Sequence, residues 1–276
     1  MSENRKFSVL MSVYIKENPT FLVEAVQSIL QQTLKPSEVV LVEDGPLTPE
    51  LYQALEELTT QSVIPIKRYP LEKNRGLGLA LQYGVLQCQY DVIARMDTDD
   101  IAVEDRFEQQ FNLMERENLD LLGGHIAEFI DQPEDIVSYR RVPTHHADIV
   151  TYQRMRSAFN HMTVMFKKEM VLKAGNYEDG LYMEDDLLWL NMISAGAKTG
   201  NVDQILCKVR VGAGMFERRG GLRYLGFYRQ ARQKMLSRKQ ISYGEYLKSI
   251  MIQAVVALCP GFLRQLIFLK LLRKKS

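Results

Sequence analysis

The chain has 276 residues, 46% of them hydrophobic and 25% charged, with a formal net charge of +1. That is ample for one large domain or two closely joined halves with a full core, and the composition is ordinary for a soluble globular protein. The three cysteines, Cys88, Cys207 and Cys259, are far apart and match no metal-binding or disulfide spacing, which points to a reducing compartment.

Phe7–Val13 reads as a first buried strand, running into a polar loop closed by Asn18-Pro19. Thr20 is the expected N-cap of a helix whose apolar face is Phe21, Leu22, Ala25, Val26, Ile29 and Leu30. A second strand, Glu38–Val42, ends in Glu43-Asp44-Gly45, which is either a simple Asp-Gly turn or part of a site. A helix over 49–59, a short strand near Val63–Tyr69, a helix over Leu77–Gln87 and a strand over Tyr90–Met96 follow. Strands that are continuous apolar runs alternating with helices predict an α/β fold with a doubly wound, mostly parallel sheet. In such sheets ligands bind outside the C-terminal ends of the strands, where Ser12, Glu43-Asp44 and Asp97-Thr98-Asp99-Asp100 all fall.

Three carboxylates in four residues repel one another unless a cation or solvent relieves them. An EF-hand is excluded, because Ile101 and Ala102 stand where a ligand and the obligatory glycine belong. The remaining alternatives are a solvated acidic turn or a site for Mg²⁺ or Mn²⁺ against a diphosphate. No GxGxxG follows the first strand and no GxxxxGK[ST] occurs, so dinucleotide-binding and P-loop folds are excluded.

The second half begins with an amphipathic helix over about 103–118, then strand segments at Leu121–Gly124 and Ile126–Ile130, a polar excursion from Pro133 to Pro143, and a strand at Thr163–Phe166. Glu184-Asp185-Asp186 heads the apolar run Leu187–Ile193; it reads either as first-turn acids favoured by a helix dipole or as the seat of a general base. His161 is either a structural residue or part of an acceptor cleft, and His145-His146 lies at the surface. After a presumed last strand at Leu206–Val211, Arg218-Arg219 reads as a solvated loop or as a contact to phosphates.

Residues 218–276 hold 14 Lys or Arg and one acid, Glu245, a net of +13, whereas residues 1–217 hold 21 basic and 33 acidic residues, a net of −12. A basic tail on an acidic body calls for an anionic partner. No nucleic-acid motif accompanies the charge, and Tyr246–Leu258 with Phe262–Lys275 fits a helix lying on an anionic membrane surface; packing on the protein itself or on a second subunit in a homodimer is the alternative. No apolar run reaches the ~20 residues of a spanning helix, and the first strand starts too early to leave room for a signal peptide. A cytoplasmic protein, peripheral to the inner face of the membrane, is expected.

Taken in order, Ser12, Val42-Glu43-Asp44-Gly45, Asn74-Arg75-Gly76-Leu77-Gly78, Ala94-Arg95-Met96-Asp97-Thr98-Asp99-Asp100 and Glu184-Asp185-Asp186-Leu187-Leu188-Trp189 resemble the motifs of family 2 inverting glycosyltransferases with the GT-A fold. Within them the chain is similar to bacterial enzymes that extend capsule, exopolysaccharide or O-antigen units. The resemblance spans residues 7 to about 215 and implies a nucleotide-sugar-binding half (1–100), an acceptor-binding half (101–215) and a basic helical extension (216–276). It implies that Ser12 and Asp44, with Glu43 in place of the commoner Asp, meet the nucleotide, that Asp97 and Asp99 lie beside ribose and diphosphate, and that Asp99 and Asp100 hold Mn²⁺ or Mg²⁺. Asp185 corresponds to the catalytic base, with Glu184 on the acceptor side. The usual Ala-Arg-Asn is replaced by Ala80-Leu81-Gln82, so a basic nucleotide contact must come from Lys73, Arg75 or Arg95. The implied partners are a UDP- or dTDP-linked sugar and a polyprenyl-diphosphate-linked saccharide. Two other classes are weighed: a catalytically silent nucleotide-sugar-binding partner of another transferase, against which the intact acidic set speaks, and a nucleotidyltransferase, which would need a Gly-rich basic loop after the first strand.

Overall fold

The computed structural model describes residues 5–179, 182–212 and 221–258. Four strands, β1 (Phe7–Val13), β2 (Glu38–Glu43), β3 (Ile66–Pro70) and β4 (Val92–Arg95), pair in parallel in the order β3-β2-β1-β4. The connection from β1 to β2 leaves on one side and the chain returns for β4 on the other. This reversal opens the crevice of a doubly wound sheet at the C-terminal ends of β1 and β4. It sets Ser12 beside Asp97–Asp100, and the Thr98 hydroxyl lies 3.5 Å from the Ser12 carbonyl.

The sheet continues through β8 (Met165–Lys167), antiparallel to β4, to β6 (Leu121–Phe129) and β9 (Thr199–Arg210), which run parallel to each other. The short β5 (Ile101–Ala102) closes that edge on β9, and β7 (Ile136–Arg140) pairs with β6. Most of the paired residues lie in parallel ladders, as the alternating pattern predicts. The second half is nonetheless mixed, and its β6 is one strand where two segments are read from sequence.

Because side chains alternate across each strand, β1 and β2 bury both faces. Val9, Met11, Val39 and Leu41 pack with helices α1 (Pro19–Leu30), α2 (Pro49–Gln61) and α4 (Arg106–Glu117). Leu10, Val40 and Val42 face the other way, into a core that includes α3 (Leu77–Gln87), α6 (Lys168–Lys173) and α7 (Glu184–Ser194). The short α5 (His146–Gln153) adds Ile149 to that second core. The cap of α1 is Asn18 rather than Thr20: its side chain accepts the Thr20 N–H at 2.8 Å, and Pro19 takes the first helical position, where no N–H is needed.

Beyond β9, α8 (Gly221–Ser237) and α9 (Tyr243–Leu258) form a helical pair. Ala231, Met235 and Ile241 pack on Met183, Leu187 and Leu190, so the extension is built onto the outer side of α7. The basic run Arg218-Arg219 and the segment Phe262–Lys275 lie outside the described residues.

At Gly84 a Cβ would sit 2.4 Å from Leu10 Cδ1 and 2.9 Å from Val42 Cγ2, the close approach that seats α3 on the sheet. Gly84→Val is expected to lower stability by about 1–3 kcal/mol through overpacking. Gly226→Ala, in open space within α8, should raise it by about 0.5–1 kcal/mol. Urea unfolding midpoints of the two variants check the contrast.

Candidate active site

The loop between β4 and β5 carries the acidic motif. Oxygens of Asp97, Asp99 and Asp100 all lie within 4.8 Å of one another. Burial, reinforced by the charges of Asp97 and Glu17, pushes the Asp99 carboxyl up to about 7. Burial, with Asp99 and Asp97 adding, holds Asp100 well above the usual carboxylate range. The loop is fixed from three sides. The Arg210 N–H, at the end of β9, donates to Asp100 Oδ1 at 3.0 Å; the Thr98 hydroxyl donates to Glu17 at 2.5 Å; and Arg95 pairs with Asp97.

Arg95 is 1% exposed. Burial works against its charge, but the Asp97 carboxylate more than offsets this, so the guanidinium is held cationic. Its Nε and Nη1 have no hydrogen-bond partner among the described residues. Beneath it the equally buried Arg106 donates to the Arg95 carbonyl at 2.7 Å, and Gln110, on the same helix, donates to the Thr163 carbonyl at 2.8 Å.

The second acidic cluster opens α7. Asp185 accepts the Asp186 N–H at 2.8 Å, and Asp186 accepts the Gln153 side chain at 2.8 Å. Burial first, then the charges of Asp186 and Glu184, push Asp185 up to about 8. Burial also raises Glu184, against a lowering influence from Arg95. A Cβ on Gly78 would stand 2.9 Å from Glu184 Cβ and 2.5 Å from the Glu178 carbonyl, so only glycine lets the start of α3 meet the start of α7. His161, in a 3-10 turn before β8, contacts the rings of Tyr177 and Trp189, with Nε2 2.9 Å from the Tyr177 hydroxyl. Burial, and then Arg95, drives its pKa well below the ordinary histidine value, so the ring is neutral. Arg95 thus acts electrostatically on Asp100, Glu184, His161 and Tyr177 at once, and the two acidic clusters share one neighbourhood around it.

Not every predicted residue presents a free group to this crevice. Both oxygens of Asp44 are occupied, accepting the N–H groups of Arg75 at 2.6 Å and Gly76 at 3.0 Å, and Glu43 pairs with Arg68 at 2.6 Å. Asp44 therefore clasps the loop from which the exposed Lys73 and Arg75 project. Sequence reasoning missed Arg210, Arg106, Glu17 and Tyr177. Arg210 is sandwiched by the rings of Phe21 at 3.8 Å and Phe129 at 4.6 Å, and it pairs with Glu24 at 2.7 Å.

The three carboxylates offer only hard oxygen donors, converge on one point and are costly to ionise together, a donor set that fits Mg²⁺ or Mn²⁺.

A carboxylate-edged crevice at the strand ends of a doubly wound sheet is the arrangement of a glycosyltransferase with the GT-A fold. Residues 8–178 match the model of glycosyl transferase family 2, and the chain belongs to that family. It is 38% identical over 267 residues to the amylovoran biosynthesis glycosyltransferase AmsE of Erwinia amylovora, covering 96% of this chain and 98% of that one. It is 36% identical over 270 residues to the UDP-Gal:alpha-D-GlcNAc-diphosphoundecaprenol beta-1,3-galactosyltransferase of Escherichia coli, covering 98% and 97%. The mannosyltransferase PcManGT from Pyrobaculum calidifontis, solved with GDP-Man and Mn²⁺, shares the fold with a TM-score of 0.64 at 15% identity, over 90% of this chain and 68% of that one.

The raised Asp185 pKa has a consequence for stability. Between the ordinary carboxylate value of 3.8 and about 8 the folded state holds a proton that the unfolded state has lost. Wild-type stability therefore falls as pH rises through that window. Asp185→Asn should unfold at a higher temperature than wild type at pH 8, with the difference vanishing below pH 4; calorimetry across that range checks it.

Proposed function

We propose that the protein transfers one sugar, with inversion, from a UDP- or dTDP-linked donor to a polyprenyl-diphosphate-linked saccharide in bacterial surface polysaccharide synthesis. The observation that carries this reading is that two acidic clusters with different surroundings both lie within electrostatic reach of Arg95. The similarity to AmsE and to the diphosphoundecaprenol-dependent galactosyltransferase supports the pathway and the acceptor class.

In this reading Ser12 and the loop clasped by Asp44 receive the nucleotide, with Lys73 and Arg75 supplying cations at its rim. Asp99 and Asp100, with Asp97 beside them, are the residues that would hold Mn²⁺ or Mg²⁺. Such an ion supplies Lewis-acid neutralisation of the diphosphate that leaves. Arg95, desolvated and with two N–H-bearing nitrogens unpaired, contributes fixed positive charge on the same side. Asp185 takes the proton of the acceptor hydroxyl while that oxygen bonds to the anomeric carbon and the electron pair of the breaking C–O bond goes to the diphosphate. Once ionised, a carboxyl raised to about 8 is a stronger base than an ordinary aspartate, so transfer should gain as the pH rises toward 8 and the ionised fraction grows. Glu184, beside Gly78, and His161 border the acceptor side. The lipid portion of the acceptor would keep the protein on the inner face of the membrane.

Transfer from UDP-galactose, or whichever donor a thermal-shift screen with Mn²⁺ selects, to a synthetic lipid-diphosphate N-acetylglucosamine tests the reading. A product of inverted anomeric configuration, with kcat lowered roughly 10²–10⁴-fold in Asp185→Asn, is expected. Wild-type protein that binds the donor but never turns over would favour a silent partner instead.

A further inference from the structure

Helix α9 turns one side to α8, where Ser249 is buried and its hydroxyl accepts Arg232 Nε at 3.0 Å, and Ala257 is buried along the same side. Its opposite side should be polar if water were its only neighbour. Instead Tyr243, Leu247, Met251 and Val255 recur at four-residue steps with Ile252 and Leu258 beside them, each between 42% and 65% exposed. Among the described residues, Lys248 is the one charged side chain on that side. We propose that this side of α9 is the docking surface for an anionic bilayer. The proposal rests on the membrane-peripheral reading above and gives it a specific surface.

Charge selects the occupant. Residues 218–276 carry a net +13, and beyond Leu258 the sequence adds five basic residues and no acid. A second copy of the chain laid on this face would oppose like charges, whereas anionic headgroups complement them. The sixteen described residues of α9 measure roughly 24 Å, less than the ~30 Å hydrocarbon core, a length that suits a helix lying in the interface. Among the described residues no helix is long and apolar enough to cross a membrane.

The full chain and a Leu247→Glu, Met251→Glu, Val255→Glu variant are compared by co-sedimentation with vesicles of phosphatidylcholine alone or with one third phosphatidylglycerol. The wild type should sediment with the anionic vesicles and not with the neutral ones. The variant should melt at the wild-type temperature, because the replaced side chains are exposed, and partition at least roughly tenfold less. No wild-type binding to anionic vesicles would overturn the membrane reading itself, and wild-type binding by the variant would overturn the assignment of this face. A dimer by light scattering that becomes a monomer in the variant would assign the face to a second copy. A fall in the variant's melting temperature would show that the chain's own residues cover it. Sedimentation needs no sugar donor, so none of these outcomes bears on the transfer reaction.

Discussion

The burial of one guanidinium holds the centre of this molecule together. Arg95 ends β4 with 1% of its surface exposed, bonded to Asp97 and within electrostatic reach of Asp100 and Glu184. Without it, the strand-end acids and the first turn of α7 would share one neighbourhood with no cation between them. A buried cation is itself costly unless paired, so the arrangement is mutual: loss of either partner strands the other. Arg106 completes it by binding the Arg95 carbonyl, which fixes where the guanidinium leaves the backbone. A lysine at 95 would keep the charge but lose the planar fork.

Around that centre the two acidic clusters differ in their supports. Asp97, Asp99 and Asp100 crowd together and are anchored by Arg95 and the backbone of Arg210. Asp185 stands at a helix start, bonded to the neighbouring Asp186 N–H, with Asp186 tied in turn to Gln153. The first arrangement suits holding positive charge against a leaving group, the second suits accepting a proton. The helical extension belongs to this design, because Met183, Leu187 and Leu190 of the α7 region are buried against α8, and Lys234 and Arg238 grip Glu178 at 3.1 and 2.5 Å just ahead of the first turn of α7.

The parallel half was legible because strands buried on both faces leave unbroken apolar runs. Where packing is irregular the sequence misled. The pair Gly123-Gly124 looked like the end of a strand, yet β6 runs straight through, its glycines making room for Asn201, Thr163 and Leu206. Thr163 looked like strand, but its hydroxyl accepts the Gly124 N–H and binds the Asn160 carbonyl, which holds a 3-10 turn and delays β8 to Met165. The polar stretch before Pro143 hides β7, whose Ser138 bonds Glu128.

Much the same holds at the site. Asp97–Asp100 and Glu184–Asp186 could be read because each is compact in sequence and sits at the end of an element. Arg210 could not, since the carboxylate it anchors is 110 residues away and its ring partners lie on α1 and β6. Asp44 shows the reverse: an acid correctly placed at a strand end proved to bind its own neighbouring loop.

In the proposed reaction the two acidic clusters divide the work, one holding the donor and the other activating the acceptor. Calorimetric titration of the donor nucleotide with Mn²⁺ into Asp100→Asn and Asp185→Asn proteins tests it most directly. Asp100→Asn should lose the Mn²⁺-dependent part of the affinity while Asp185→Asn binds the donor as tightly as wild type. Equal weakening in both variants would contradict it.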